Sequence, residues 1–313
     1  MLHARMLMYL DEVVRSGSIR KAAMKLNVAS TAINRQIIAL EEELGQPIFE
    51  RMPRRLRLTA TGEALIEHVR DTLRNYDKFQ QRLDSLKGLQ RGHIKLATTI
   101  GLGGGPMAKI ANDYMERHRG VQFRIRALFA DGIPNSVLSG EVDLGLGFNL
   151  QPNPGLRTVF QFDIPIGLVV RPDHELADKS IVRIGDAARF PIVLPEPNMS
   201  LRTHIDIALS RLAVVPTPIL ETNSIEMIKM MIRLSNAVAF MNPLDVGMER
   251  AEGLLCYLPL AETPGQTLKL VARTRGSIDP VTSGFVEYLR HRVTDLVAAL
   301  QPAHREQKST TPR

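Results

Sequence analysis

The 313-residue sequence predicts an α/β chain with an all-α head, a long helix behind it, and a two-lobed α/β portion over the remainder. Three observations carry this. The first 58 residues hold three short blocks of helical periodicity followed by two short alternating basic runs. Apolar residues then recur at 65, 69, 73, 76, 79, 83 and 86, a single stripe of heptad-like spacing. From residue 93 onward, β-rich runs alternate with helical ones.

In the head, Leu7, Leu10 and Val14 mark a first amphipathic helix. Gly17 interrupts it, and Ser18 is the expected N-cap of a second helix running to about Leu26. Asn27 turns the chain. A third helix then starts at Ala29 or Ser30 and stops at Gly45, with Ile33, Ile37, Leu40 and Leu44 expected to face the first two. The runs "IFER" and "RLRL" predict a β-hairpin carrying Arg51, Arg54, Arg55 and Arg57. Thr59 is positioned to cap the long helix, whose stripe is expected to meet a partner helix.

Beyond residue 92 the order is strand 93–98, helix 104–118, strand 121–128, helix 133–139 and strand 142–148. The pattern repeats with strands at "IGLVV", "PIVLP", "PILET" and "AVAFMN", and helices at 184–188, 201–212 and 224–234. Such alternation predicts largely parallel sheets with helices on both faces. Two extended segments, near 160–168 and 266–273, would cross between two lobes, and a final helix spans 280–299. The expected domains are therefore a head at 1–58, a linker helix at 59–89 and a lobed domain at 93–300. Within the last, lobe I holds 93–162 and 268–300, and lobe II holds 163–267. Polar residues 301–313 predict a disordered tail.

Composition narrows the function. Hydrophobic residues make up 44% and charged residues 23%, an ordinary globular balance. The single cysteine, Cys256, excludes a disulfide framework and fits a reducing cytoplasm. No run is apolar enough to span a bilayer, and Arg5, Asp11 and Glu12 interrupt the amino terminus, so neither membrane nor signal peptide is expected. The net charge is +7. Residues 1–92 hold 16 Lys and Arg against 11 Asp and Glu, whereas residues 93–300 balance at 21 of each. An excess confined to the head is the footprint expected for a phosphate backbone.

The head's third helix has the chemistry of a groove reader. Its amino end presents Ser30, Thr31, Asn34, Arg35 and Gln36 away from the apolar stripe. Asn and Gln match adenine edges, and Arg matches guanine or phosphate. The hairpin arginines would add salt-dependent phosphate contacts. The small residues Ala22 and Ala23 suit close helix crossing. Together these predict a winged helix–turn–helix and double-stranded DNA as partner.

Residues 17–65 resemble the DNA-binding domain of LysR-type transcriptional regulators, and the match is dense over residues 4–64. Ala22, Ala23, Leu26, Arg35, Gln36, Leu40, Glu41, Leu44, Gly45, Phe49, Arg51, Leu58, Thr59 and Gly62 match that family's pattern. Ala29, Ser30, Thr31 and Asn34 depart from its usual Ser, Gln, Pro and Ser, and the departures fall where operator sequence is read. The resemblance implies a dimerising linker helix and a two-lobed, periplasmic-binding-protein-like effector domain. It also implies a homodimer or homotetramer on DNA, with RNA polymerase as a further partner and a small-molecule co-inducer in the interlobe cleft. No cofactor, metal or catalytic residue is implied.

Ligands of lobed α/β sheets sit at the carboxyl ends of strands, near helix starts. Thr98, Thr99, Ile100 and Gly101 are candidates at the first strand's end, with Asp131 and Phe148 on further walls. Ser200 and Arg202 open one helix, and Asn223 and Ser224 open another, with Glu226 expected to close a capping box on Asn223. Arg202 would favour a carboxylate. Ser235-Asn236 replaces the family's Gly-x-Gly, and Asn236 is expected to take the left-handed conformation there. Pro106 breaks the G-x-G-x-x-G that Gly101 and Gly103 begin, so no dinucleotide fold is expected. The lobed portion alone would suit a solute-binding protein, which the missing signal peptide opposes. An α/β enzyme is disfavoured because the eight dispersed histidines and absent nucleophile motifs assemble no catalytic set.

Overall fold

The computed structural model describes residues 4–52, 55–86, 92–261 and 265–298. The chain divides into two compact units, Met1–Leu89 and Gln90–Arg313.

The first unit contains α1 (Ala4–Ser16), α2 (Ile19–Leu26), α3 (Ser30–Leu44), the hairpin β1 (Phe49–Met52) and β2 (Arg55–Leu58), and α4 (Ala60–Leu86). Its helix ends obey short-range rules. The Ser18 hydroxyl accepts the Lys21 N–H at 3.5 Å, Asn27 turns left-handed at φ 52°, and Gly45 does the same at φ 67°. Thr59 Oγ1 accepts the Gly62 N–H at 3.0 Å and donates to the Pro47 carbonyl at 2.7 Å, which starts α4 against the hairpin. Gly62 has no room for a side chain, since a Cβ there would lie 2.1 Å from the Ile48 carbonyl oxygen. Glu41 Oε1 accepts the N–H groups of Ile48 and Phe49 at 2.8 and 3.2 Å, tying α3 to the wing. The core gathers Leu10, Val13, Ala22, Ala23, Ile33, Ile37, Ile48, Ile66 and Val69.

Two expectations change here. Leu44 does not face α1 and α2; it is 43% exposed, because the last turn of α3 runs past the core. The stripe on α4 is divided in use. Leu65, Val69 and Leu73 pack into the first unit itself, whereas Phe79 is 54% exposed.

The second unit holds two five-stranded sheets. Its elements are β3 (Gly92–Thr99), α5 (Ile100–Gly104), α6 (Pro106–Arg117), β4 (Val121–Leu128), α7 (Gly132–Leu138), β5 (Leu144–Phe148) and β6 (Leu156–Ile164). Then come β7 (Gly167–Val170), α8 (Ile184–Ala187), β8 (Ile192–Pro195), α9 (Ser200–Leu209), β9 (Leu220–Thr222), α10 (Ile225–Leu234) and β10 (Val238–Met241). The chain ends through α11 (Gly247–Ala251), β11 (Cys256–Pro259), β12 (Gln266–Arg273) and α12 (Pro280–Ala298). Residues 301–313, expected to be disordered, lie outside the described residues.

The first sheet has the order β4-β3-β5-β12-β6 and the second the order β11-β7-β10-β8-β9. The expectation of largely parallel sheets is corrected. Strands β4, β3 and β5 run parallel, but β12 pairs antiparallel with both β5 and β6. In the second sheet β8 is parallel to β9 and β10, whereas β7 is antiparallel to β10 and β11. The crossover segments carry these pairings: β12 returns to the first sheet to lie between β5 and β6, and β7, the first strand of the second sheet, lies between β10 and β11. The β6–β12 ladder continues to the pair Ile164–Gln266, so both strands stay in the first sheet two residues past the expected division at 162 and 268. An antiparallel ladder keeps its backbone groups paired wherever both strands are present, and that outweighs the pattern break. The helix expected over 104–118 is α6, with Pro106 at its first helical position, and a separate short helix, α5, precedes it.

Candidate DNA-reading face and interlobe cavity

On α3, Ile33 and Ile37 are 0% and 3% exposed. Their burial anchors the helix, each side chain contributing about 1.5–3 kcal/mol. Thr31, Arg35 and Gln36 are exposed, and Ser30 and Asn34 are half-buried at the flank of the anchoring stripe rather than opposite it. Ala29 precedes the helix with no side-chain cap, so the chain enters without covering the first turn. An open notch beside that turn is lined by Arg20, Met24, Asn27 and Ser30. Arg20 was not anticipated, although it stands in the first turn of α2, where a backbone phosphate contact would position the duplex. On the wing, Arg57 is exposed. The side chains of Arg51 and Arg55, and all of Arg54, lie outside the described residues.

In the second unit, the ends of several strands and helices converge on one cavity of about 40 Å³. Of the expected residues, Thr99, Ile100, Gly101, Phe148 and Ser200 line it. Asn198, Asn242, Asp245 and Gln266 also line it, and sequence reasoning missed them. Asn242 folds the chain after β10, its Oδ1 accepting the N–H groups of Leu244 and Asp245 at 3.0 and 3.1 Å. Its Nδ2 donates to Asp245 Oδ2 at 2.5 Å. Burial pushes the Asp245 carboxyl up to about 7, against the opposing pull of Lys229 and the Asn242 bond. The other carboxylate oxygen abuts α5, where a Cβ on Gly101 would lie 2.7 Å from it.

Five expected positions fall elsewhere. Thr98 is fully enclosed beside the cavity without lining it. Asp131 is exposed and precedes α7 without capping it through its side chain. Asn223 is exposed, and Ser224 is the true cap of α10, its Oγ accepting the Met227 N–H at 3.2 Å. Glu226 closes no capping box on Asn223; it pairs with Lys229 at 2.6 Å. Arg202 does not reach the cavity. Its guanidinium is held by Asp206 at 2.7 Å, the Pro195 carbonyl at 2.8 Å and Glu221 at 2.6 Å. Its motive for a carboxylate ligand therefore disappears, because Glu221 and Asp206 already neutralise it. The turn at Ser235-Asn236 also differs: Asn236 is not left-handed, and the Ser235 hydroxyl ends α10 by donating to the Met231 carbonyl and accepting the Ala237 N–H.

Asn149 links the two lobes directly. Asn149, left-handed at φ 53°, exchanges bonds with the Thr267 backbone and donates from Nδ2 to His204 Nε2 at 2.8 Å. Burial holds the His204 imidazole below its ordinary range, which keeps that nitrogen available as an acceptor. Among the described residues no cluster of three His, Cys, Asp or Glu could hold a metal, and no helix is long and apolar enough to cross a membrane.

Comparison with known proteins agrees with this architecture. Residues 4–63 match the family described as bacterial regulatory helix-turn-helix protein, lysR family, and residues 87–294 match the LysR substrate binding domain. The RuBisCO operon transcriptional regulator of Acidithiobacillus ferrooxidans is 26% identical over 281 residues, covering 88% of this chain and 90% of that protein. The regulator CbbR of Rhodospirillum rubrum is 24% identical, covering 92% and 96%. In fold, a full-length OxyR variant from Pseudomonas aeruginosa superposes with a TM-score of 0.68 at 18% identity, covering 94% and 95% of the two chains. Full-length CbnR complexed with its target DNA superposes at 0.60, also at 18% identity, covering 93% and 100%. A helix–turn–helix match at one end and a substrate-binding-domain match over most of the rest place the chain in the LysR family of DNA-binding transcriptional regulators.

Proposed function

We propose that α3 reads its operator through Thr31, Arg35 and Gln36, with Ser30 and Asn34 at the edge of the contact. The wing, through Arg57 and its neighbouring arginines, and Arg20 hold the phosphate backbone. The observation that carries this is the division of α3 into a buried apolar stripe and an exposed polar face. A small molecule in the interlobe cavity is the effector and changes how the protein binds or bends DNA. The chain acts as a homodimer or homotetramer, with the exposed end of the α4 stripe around Phe79 as its contact, and works in the cytoplasm alongside RNA polymerase. It carries out no chemistry of its own.

The test is fluorescence anisotropy with the protein's own upstream DNA at several salt concentrations. Specific binding whose logarithm falls linearly with log salt is expected. Binding no tighter than to unrelated DNA at every salt concentration would sink the assignment.

A further inference from the structure

We propose that the interlobe cavity takes a small non-anionic ligand bearing an amide- or amidine-type N–H donor, received by Asp245 and Gln266. This rests on reading the cavity as the effector site and adds the ligand's chemical class.

The first argument is the state of the lining polar atoms. Thr99 Oγ1, Asp245 Oδ1 and both side-chain polar atoms of Gln266 are enclosed and make no hydrogen bond within the protein. The three residues are 9%, 6% and 1% exposed, and all three line the cavity. Enclosed polar atoms without partners are destabilising, and apolar side chains of similar shape would be more stable there. Residues from three separated segments carry the same defect toward one space, and a bound polar group relieves all of them together.

The second argument is charge. Among the described residues, no Lys, Arg or His lines the cavity, and its one ionisable group is the acid Asp245. The neighbouring cations are committed. Arg202 is held by Asp206 and Glu221, and Lys229, 6% exposed, is held by Glu226 and Glu249 at 2.6 Å each. An anion placed here would lie beside the acid Asp245 with no Lys, Arg or His in the lining to pair with it, a costly arrangement away from water.

The third argument is complementarity. Asn242 has its acceptor and one donor engaged, and Asn198 and Ser200 stand at the more open side of the lining, so the enclosed groups left without partners are the Asp245 oxygen, the Gln266 amide and the Thr99 hydroxyl. An N–H group satisfies the first, and an amide or amidine edge matches the second. At about 40 Å³ the cavity admits a compact head group of a few atoms. Phe129, Phe148 and Met199 supply the apolar wall for what is attached to it.

The experiment compares acetate, acetamide and acetamidinium, which share four heavy atoms and differ in charge and donors. They are titrated into the full-length chain labelled at Ile and Met methyls, with Ile100, Met199 and Ile225 as reporters lining the cavity. Saturable shifts are expected with acetamide and acetamidinium, at affinities about tenfold tighter than acetate. Acetate binding as tightly as either, or no saturable shift at these methyls with any of the three, overturns the proposal. Gln266→Met gives a second readout. It is expected to raise the melting temperature of the ligand-free chain while abolishing the response to acetamide, and a lowered melting temperature or an intact response contradicts the role. Operator binding in the same samples separates the two readings. Anions that shift the cavity methyls and alter operator affinity overturn the ligand class and leave the effector site standing. Amides that bind without ever altering operator affinity support the class and overturn the effector role.

Discussion

The exposed face of α3 and the interlobe cavity both present polar side chains, yet in opposite physical settings. Thr31, Arg35 and Gln36 sit in solvent, where water satisfies them, on a helix already anchored by Ile33 and Ile37. Asp245, Gln266 and Thr99 are shut away from solvent with polar atoms unbonded. The reading face can therefore vary at little cost to the fold. The cavity cannot, because each polar residue there weighs directly on stability until something binds. That contrast explains how the departures from family pattern at Ala29, Ser30, Thr31 and Asn34 are tolerated: their neighbours in the core carry the fold.

The contrast can be broken or sharpened by experiment. The largest effect is expected from the anchor beneath the reading face. Ile33→Ala should destabilise the first unit by about 2–5 kcal/mol in urea denaturation, with DNA affinity falling in step. A small change would mean the stripe is not what holds α3. For Asp245→Asn, the expected effect is on the order of 1–3 kcal/mol and depends on pH. The carboxyl's pKa of about 7 lies above the ordinary 3.8 of an unfolded aspartate, so its stabilising contribution is complete below 3.8 and is lost as pH rises from there to about 7. Denaturation between pH 5.5 and 8.5 should show the variant more stable than the parent at pH 8.5, with the gap constant above about 7 and narrowing towards pH 5.5. His204, whose pKa is lowered by burial, destabilises in the other direction as pH falls, and it cancels in the difference between the two proteins.

On the reading face itself, Arg35→Ala should leave the unfolding midpoint unchanged and weaken operator binding by about 1–3 kcal/mol. A stability loss of similar size would place Arg35 in the fold and not in the reading. The smallest effect is expected from Arg57→Ala. Anisotropy titrations should show specific and non-specific DNA weakened alike, with the salt slope flattened by roughly one unit; a loss confined to the operator would assign Arg57 to base reading.

How far each region was legible follows from the same contrast. The helix ends of the first unit could be read because Ser18, Asn27, Gly45 and Thr59 act on groups within three or four residues of themselves. A third of the cavity lining could be placed from the rule that ligands gather at strand ends, which pointed to Thr99, Ile100, Gly101, Phe148 and Ser200. Asn242 and Asp245 were hidden in "NPLD", which reads as an ordinary turn, and Gln266 as the plain start of a strand. Arg202 was misassigned because Glu221, its partner, lies 19 residues away on β9. The antiparallel pairings of β7 and β12 were missed for a like reason, since an alternating pattern specifies strand and helix but not which distant strand lies alongside.

By itself, then, the sequence determined the helix–turn–helix, the long helix, the run of strands and helices and the family to which they belong. These depend on periodicity, capping and turn residues whose interactions are short in range. Only the tertiary structure decided which charges were neutralised, which polar atoms were enclosed and which strands ran antiparallel. Those properties arise when segments far apart in the chain meet, and no local pattern records the meeting.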